Sequence, residues 1–234
     1  VNGHSFGNLF ITAMSEVTGS FERALAVTGQ VLAIGGQVLP STLEDVTLMA
    51  DIRKQAGGTA HRVAGESSIP QEIGVIERIQ LHPSDVSAHP QALKAILSAE
   101  LIVLGPGSLY TSVIPNLLVG DIASAVGNSR GLKVYVSNLA TQIGETERFS
   151  LSMHTQVINQ YAHESFTLVL SNNRYYGKLL PDMAWVKAST DLIDGWEIIA
   201  RDLVDETRPW RHDSKKLATE LMGLLKDRAI MAVL

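Results

Sequence analysis

The stretch LIVLGPGSLYTSVIPNLL, running from Leu101 to Leu118, decides how this chain is read. Four apolar residues, Leu101 to Leu104, stop at Gly105-Pro106-Gly107. Hydroxyl side chains follow at Ser108, Thr111 and Ser112, and a second apolar segment opens behind Pro115. A strand that is apolar at successive positions is covered on both faces, the condition of a parallel strand in an α/β sheet. It meets solvent at its carboxyl end, where ligands of open α/β sheets bind. Gly105 and Gly107 remove Cβ atoms where the backbone turns sharply or approaches a ligand. The helix start behind them offers unpaired N–H groups and a partial positive charge. The segment therefore reads as strand, phosphate-compatible loop and helix start, with an anionic group as the expected guest. A plain strand-to-helix turn that uses Gly and Pro is the alternative reading of the same letters.

Several familiar fingerprints are absent. The dinucleotide pattern G-x-G-x-x-G/A starts at Gly105 and Gly107, but Tyr110 stands where a small residue must permit close helix packing, and no Gly-Lys-Ser/Thr P-loop exists. No G-x-S-x-G nucleophile elbow surrounds Ser108. With 234 residues, 45% of them hydrophobic, the chain is long enough for one α/β domain with a sizeable core. No apolar run approaches the roughly 18 to 20 residues of a membrane span. Zero cysteines exclude disulfides, thiolate catalysis and cysteine-based zinc sites, so the expected location is the cytoplasm. A formal charge of −5 argues against binding to nucleic acid or to anionic membranes. The seven histidines lack metal-binding spacing such as H-E-x-x-H, and no protein-only metal site is expected.

Along the chain, Phe6 to Val17 and Phe21 to Ile34 carry helical apolar spacing around a Gly19-Ser20 turn. Val46 to Ile52 and Ile76 to Leu81 read as strands, and the polar, Gly-rich segment Gln55 to Glu72 reads as a surface hairpin loop or excursion. Helices are expected at Pro90 to Ala99, Pro115 to Val126, Ser150 to Tyr161 and Asp213 to Leu225, with strands at Leu101 to Leu104, Lys133 to Ser137 and Phe166 to Leu170. Trp185-Val186 and Trp196 to Leu203 contain strand-like pieces. This alternation predicts a doubly wound, mainly parallel sheet. No repeat or linker divides it, so a single domain over 1–234 is expected.

A second loop repeats the logic of the first. The strand around Val134-Tyr135-Val136 empties into Ser137-Asn138-Leu139-Ala140-Thr141-Gln142-Ile143-Gly144-Glu145-Thr146. Asn138 and Gln142 can each donate and accept, which suits a uracil-like edge or sugar hydroxyls, and Thr141 and Thr146 suit phosphate or ribose. Gly144 relaxes the backbone between them. Glu145 suits the role of base or, more commonly for a loop carboxylate, of hydrogen-bond acceptor. Asn and Thr that merely satisfy loop backbone are the bland alternative, which the pairing of two such loops disfavours. Tyr110 either stacks on a base or packs.

GHSFGNLF at Gly3 to Phe10, LGPGSLYTSVIPNLL at Leu104 to Leu118, SNLATQIGET at Ser137 to Thr146, His154 and RHD at Arg211 to Asp213 together resemble the YvcK-type gluconeogenesis factors, which belong with the CofD-type 2-phospho-L-lactate transferases. The resemblance implies a Rossmann-like, three-layer α/β/α fold. It also implies a cytoplasmic regulatory protein that binds a nucleotide sugar, UDP-N-acetylglucosamine, and serves gluconeogenic growth, cell-wall supply and cell shape. The CofD branch instead implies a transferase that moves a phospholactyl group from a guanylated donor, with magnesium; otherwise no cofactor is implied. That family opens with a GGGTG turn and an Asp-Asp-Gly-Gly segment upstream of the letters matched here, so the chain is expected to be truncated at its amino end. Residues 148–153 depart from the family's Tyr-Thr-Ala-x-Asp-His run, which leaves His154 without an assigned role.

The candidate ligand-binding set is His4, Asn8, Gly105, Gly107, Ser108, Tyr110, Thr111, Ser112, Asn116, Asn138, Thr141, Gln142, Gly144, Glu145 and Thr146, with no catalytic residue and no metal ligand. The expected partner is a small-molecule nucleotide sugar, and self-association into a homo-oligomer stays open. The two loops are expected to open on one sheet edge.

Overall fold

In the computed structural model, which describes residues 6–33, 35–54, 58–188 and 193–231, two helices come first. α1 (Phe6–Thr18) and α2 (Phe21–Val31) form a hairpin about Gly19, whose φ of +67° suits glycine. Ser20 caps α2 by accepting the Arg23 N–H at 3.3 Å. Ala24, Leu25 and Thr28 turn the buried face of α2 toward the body of the protein.

β1 (Thr47–Arg53), β2 (Ala60–Ala64) and β3 (Val75–His82) then make an antiparallel sheet in the order β2-β1-β3. Two expectations are corrected here. The strands near residues 46–52 and 76–81 do not join the parallel sheet; they pair with each other, Ala50 opposite Ile79 and Leu48 opposite Leu81. The polar segment Gln55 to Glu72 supplies β2. None of its five residues is fully buried, so the strand's apolar signal is weak; it is held by backbone pairing, by the partly buried Val63 against the core and by the two-pronged Arg62–Asp51 contact at 2.8 and 3.1 Å.

The rest is an α/β/α arrangement. It contains α3 (Pro90–Ser98), β4 (Leu101–Leu104), α4 (Ile114–Leu117), α5 (Gly120–Asn128), β5 (Leu132–Val136), α6 (Leu151–Ala162), β6 (Leu168–Asn172), β7 (Glu197–Arg201) and α7 (Ser214–Met231). The four strands are all parallel, in the order β4-β5-β6-β7. Alternate residues serve opposite faces. Val134, Val136, Leu168 and Leu170 pack with Leu217, Leu221 and Leu224 of α7, whereas Tyr135 and Val169 face a larger cluster that includes Ile122, Val126 and Ile158. That larger cluster also contains Leu48, Ile52 and Ile79, so the antiparallel sheet shares its core with one face of the parallel sheet.

The expected helix over Pro115 to Val126 is broken. Ser108 C=O accepts both the Ser112 and the Val113 N–H at 2.9 Å, giving a π-type turn over Leu109–Val113, and the axis swings by 75° between Leu109–Leu117 and Gly120–Asn128. The break lets Leu117, Val119 and Ile122 all enter the core. No single helix among the described residues is long and apolar enough to cross a membrane.

Candidate functional site

The loops after β4 and β5 leave neighbouring parallel strands at the same, carboxyl, edge of the sheet. Gly105 makes the first turn: its φ is +82°, and a Cβ there would stand 3.0 Å from the carbonyl oxygen of Val136 at the end of β5. Gly107 has no such backbone demand; its Cβ position lies 3.3 Å from Val113 Cγ2, a close fit onto its own turn. In the second loop Gly144 is the constrained glycine. At φ +78°, a Cβ would lie 1.9 Å from the Pro70 carbonyl oxygen, so only glycine lets this loop rest on the Ile69–Gln71 turn.

A buried carboxylate joins the two loops. Glu145 accepts the backbone N–H of Tyr110 at 2.9 Å and the hydroxyl of Thr111 at 2.7 Å, one bond to each oxygen. The three residues are each less than a tenth exposed. The turn at Leu109–Val113 therefore has its anion supplied from within the chain, and a side-chain carboxylate satisfies an N–H that the letters assign to a phosphate. Tyr110 packs edge-on against Phe149, at 6.3 Å between ring centres, and burial pushes its phenol above the ordinary range. Phe149 in turn meets buried His154 at 5.4 Å, and burial lowers the imidazole's affinity for a proton despite a bond to the Ser150 carbonyl.

In front of this clamp lies a cleft of about 530 Å³. Pro106, Gly107 and Ser108 form one wall; Asn138, Leu139, Ala140 and Gln142 form the second; Met183, Trp210, Arg211 and His212 form the third. Gln142 Nε2 donates to Ser108 Oγ at 2.8 Å, and Asn138 Nδ2 donates to Gln142 Oε1 at 2.9 Å. This relay leaves the Ser108 proton and the Asn138 carbonyl oxygen at its two ends. Among the described residues no carboxylate lines the cleft and Arg211 forms no ion pair.

Of the candidate residues, Gly107, Ser108, Asn138 and Gln142 meet in this cleft. Tyr110, Thr111 and Glu145 bond one another behind it. Thr141 and Thr146 hold the loop: Thr141 N–H donates to Ala184 C=O at 2.8 Å, Ala184 N–H donates back to Thr141 Oγ1 at 3.0 Å, and Thr146 Oγ1 accepts the Gln142 N–H at 2.9 Å. Gly105, Ser112 and Asn116 face a separate groove along the outer edge of β4, where Asn116 accepts the Ser41 hydroxyl at 2.7 Å. Asn8 belongs to the backbone of α1, and its side chain, like His4, lies outside the described residues.

The third wall was left out of the candidate set, although Arg211-His212-Asp213 is among the letters that carry the family resemblance. Arg211 and His212 lie in the connection from β7 to α7, which also leaves a parallel strand at its carboxyl end, so the rule that located the other two loops extends to this one. His212 is locked by one ring nitrogen, which donates to the Ser137 carbonyl, while its Nε2 has no partner among the described residues. Burial drives its pKa down to about 4, so the ring is neutral at pH 7 with a lone pair on Nε2. Among the described residues no group of three His, Asp or Glu is arranged to hold a metal ion.

The chain matches the family model for 2-phospho-L-lactate transferase CofD over residues 1–230. It is 50% identical over 159 residues to a putative gluconeogenesis factor of Nostoc, covering 68% of this chain and 34% of that protein. It is 40% identical to a putative gluconeogenesis factor of Thermoanaerobacterium thermosulfurigenes, covering 97% of this chain and 72% of the relative, and 37% identical to the gluconeogenesis factor of Listeria innocua, covering 97% and 71%. A crystal structure of a Bacillus halodurans protein superposes with a TM-score of 0.84 at 33% identity, covering 94% of this chain and 72% of that one. With the parallel sheet, its paired carboxyl-end loops and these matches in agreement, the chain belongs to the CofD family, among relatives named gluconeogenesis factors.

Proposed function

We propose that this chain binds a nucleotide sugar, UDP-N-acetylglucosamine, in the cleft between the β4, β5 and β7 loops, and acts as a cytoplasmic regulator of gluconeogenic growth, cell-wall supply and cell shape. The observation that carries the reading is the chemistry of the cleft. Among the described residues, a guanidinium without an ion pair, a hydroxyl with a proton to give and two amides converge there with no carboxylate, a set that suits a diphosphate flanked by a base and a sugar. The Glu145 carboxylate is engaged by two donors behind the cleft, and so contributes position and not proton transfer. The relatives' gluconeogenesis names support the regulatory role.

The family's transferase name supports a second reading, in which the same cleft takes a guanylated donor. Calorimetric titration with UDP-N-acetylglucosamine, GTP and NAD separates them. The first reading expects heat with the UDP-sugar, weakened by Arg211→Ala, and none with the other two. Binding of GTP with none of the UDP-sugar would replace it with the second.

A further inference from the structure

The third wall of the cleft stands on a short hairpin between β7 and α7. Val204 and His212 face each other across an antiparallel bridge, Asp205 N–H donates to Arg211 C=O at 3.0 Å, and Asp213 N–H donates to Leu203 C=O at 2.8 Å. At the tip, Arg208 N–H donates to Asp205 C=O at 3.2 Å and Arg211 N–H donates to Arg208 C=O at 2.8 Å. The Asp205 side chain gathers this tip. Its Oδ1 accepts the Thr207 N–H at 2.8 Å, the Thr207 hydroxyl at 2.6 Å and the Arg208 N–H at 3.2 Å, while Oδ2 faces Arg208 Nη2 at 3.5 Å. A side-chain oxygen here takes the part of a backbone carbonyl in closing a turn. The Thr207 hydroxyl, with the backbone N–H groups and Arg208, holds the carboxyl below its ordinary range, so it is ionised at pH 7. Two anchors fix the hairpin to the body. A Cβ on Gly177, whose φ is +86°, would overlap Pro209 Cγ, so the proline ring rests directly on that glycine, and His212 donates to the Ser137 carbonyl beyond β5.

We infer that Asp205 is a positioning residue of the cleft: by closing the turn over Asp205–Arg208 it fixes the backbone from which Arg211 reaches an anionic ligand. The inference rests on the ligand cleft proposed above. Asp205 is not among the residues that line the cleft, so it acts through Arg211 and not by contact. Its carboxylate is engaged by Thr207 and Arg208, and among the described residues Arg211 forms no ion pair, which leaves that guanidinium free for a phosphate. An arginine that clamps a phosphate gives up side-chain freedom, and a backbone already held in place reduces what binding must order. Charge and position predict opposite signs. A carboxylate near a diphosphate repels it, so on charge alone removing Asp205 would tighten binding, whereas removing a positioning residue weakens it.

Calorimetric titration with UDP-N-acetylglucosamine and, separately, with inorganic pyrophosphate measures the consequence. Asp205→Ala is expected to weaken both about tenfold, and Asp205→Asn, which keeps the accepting Oδ1 and loses only the charge, to stay within about threefold of the parent. On an Arg211→Ala background, Asp205→Ala should cost nothing further, because the two residues act as one unit. Amide hydrogen exchange on the free protein reads the same device without ligand: Asp205→Ala should speed exchange at Thr207, Arg208 and Arg211 while β6 and β7 keep their protection, and Asp205→Asn should not. Tighter binding by the alanine variant, a full further loss on the Arg211→Ala background, or unchanged exchange at those three amides overturns the inference. A parent that binds pyrophosphate but not the UDP-sugar overturns the nucleotide-sugar reading alone, and the pyrophosphate comparison then decides for Asp205. A parent that binds neither overturns both.

Discussion

Replacing Glu145 by alanine should be the most damaging change of a single polar side chain around the site. The carboxylate takes a backbone N–H at 2.9 Å and a hydroxyl at 2.7 Å, and it does so at 8% exposure, where water cannot substitute. A hydrogen bond to a charged group contributes about 1.5 to 3 kcal/mol, and removing the acceptor also leaves two buried donors unpaired. The two losses overlap, so the expected cost is about 4 kcal/mol, equivalent to a fall in melting temperature of roughly 8 to 16 °C for a chain of this length. Glu145→Gln keeps one acceptor oxygen and turns an amide nitrogen toward the other donor, so about half that loss is expected. Calorimetric melting of the parent and both variants measures these shifts. Thr111→Val closes a double-mutant cycle, in which a coupling of about 1 to 3 kcal/mol between Thr111 and Glu145 identifies the hydroxyl bond as a direct one. An alanine variant that melts within a degree or two of the parent would refute the clamp and free Glu145 for a role in the cleft.

Ser108→Ala removes the one hydroxyl of the Ser108–Gln142–Asn138 relay and should weaken a phosphate-bearing ligand roughly ten- to a hundredfold without changing the melting temperature by more than a few degrees, as titration and melting on one sample would show. Gly144→Ala should prevent normal folding, since its Cβ would lie 1.9 Å from Pro70 O at φ +78°, whereas Gly107→Ala, with 3.3 Å to a valine methyl, should cost about 1 kcal/mol; equal expression and equal melting of the two would contradict this. Acid should destabilise the protein in a defined window. Unfolded histidine takes up its proton near 6.5 while folded His212 resists to about 4, so the unfolded state binds more protons and stability falls as pH drops from 6.5 toward 4, by up to about 3 kcal/mol. His154, also shifted down, adds to the same slope, and His212→Asn should flatten denaturation measured between pH 7 and 5.

The letters by themselves determined the elements whose signals are local. Leu101 to Leu104 is a parallel strand, as its continuous apolar run indicates, and Gly105-Pro106-Gly107 ends it; the expectation that both its faces are covered is corrected, since it is an end strand of the sheet with only Leu104 buried and Val103 38% exposed. α3 starts at Pro90 and α6 at the Ser150 cap for equally local reasons, and the rule that sheet ligands sit at carboxyl ends brought both candidate loops to one edge. Other features depend on what lies across from each residue. Alternation in β1 and β3 marks strands but carries no direction, so only the shared core made them antiparallel neighbours. β2 has no buried side chain to announce it. The break at Val119 follows from the core's shape, which Leu117, Val119 and Ile122 could not all enter from one straight helix. The destination of the Glu145 carboxylate and the third wall at Trp210, Arg211 and His212 were likewise decided by the fold. A side chain's partners are set by residues far along the chain, and a hydrogen-bonding group in a sequence does not say whether a ligand or its own protein will satisfy it.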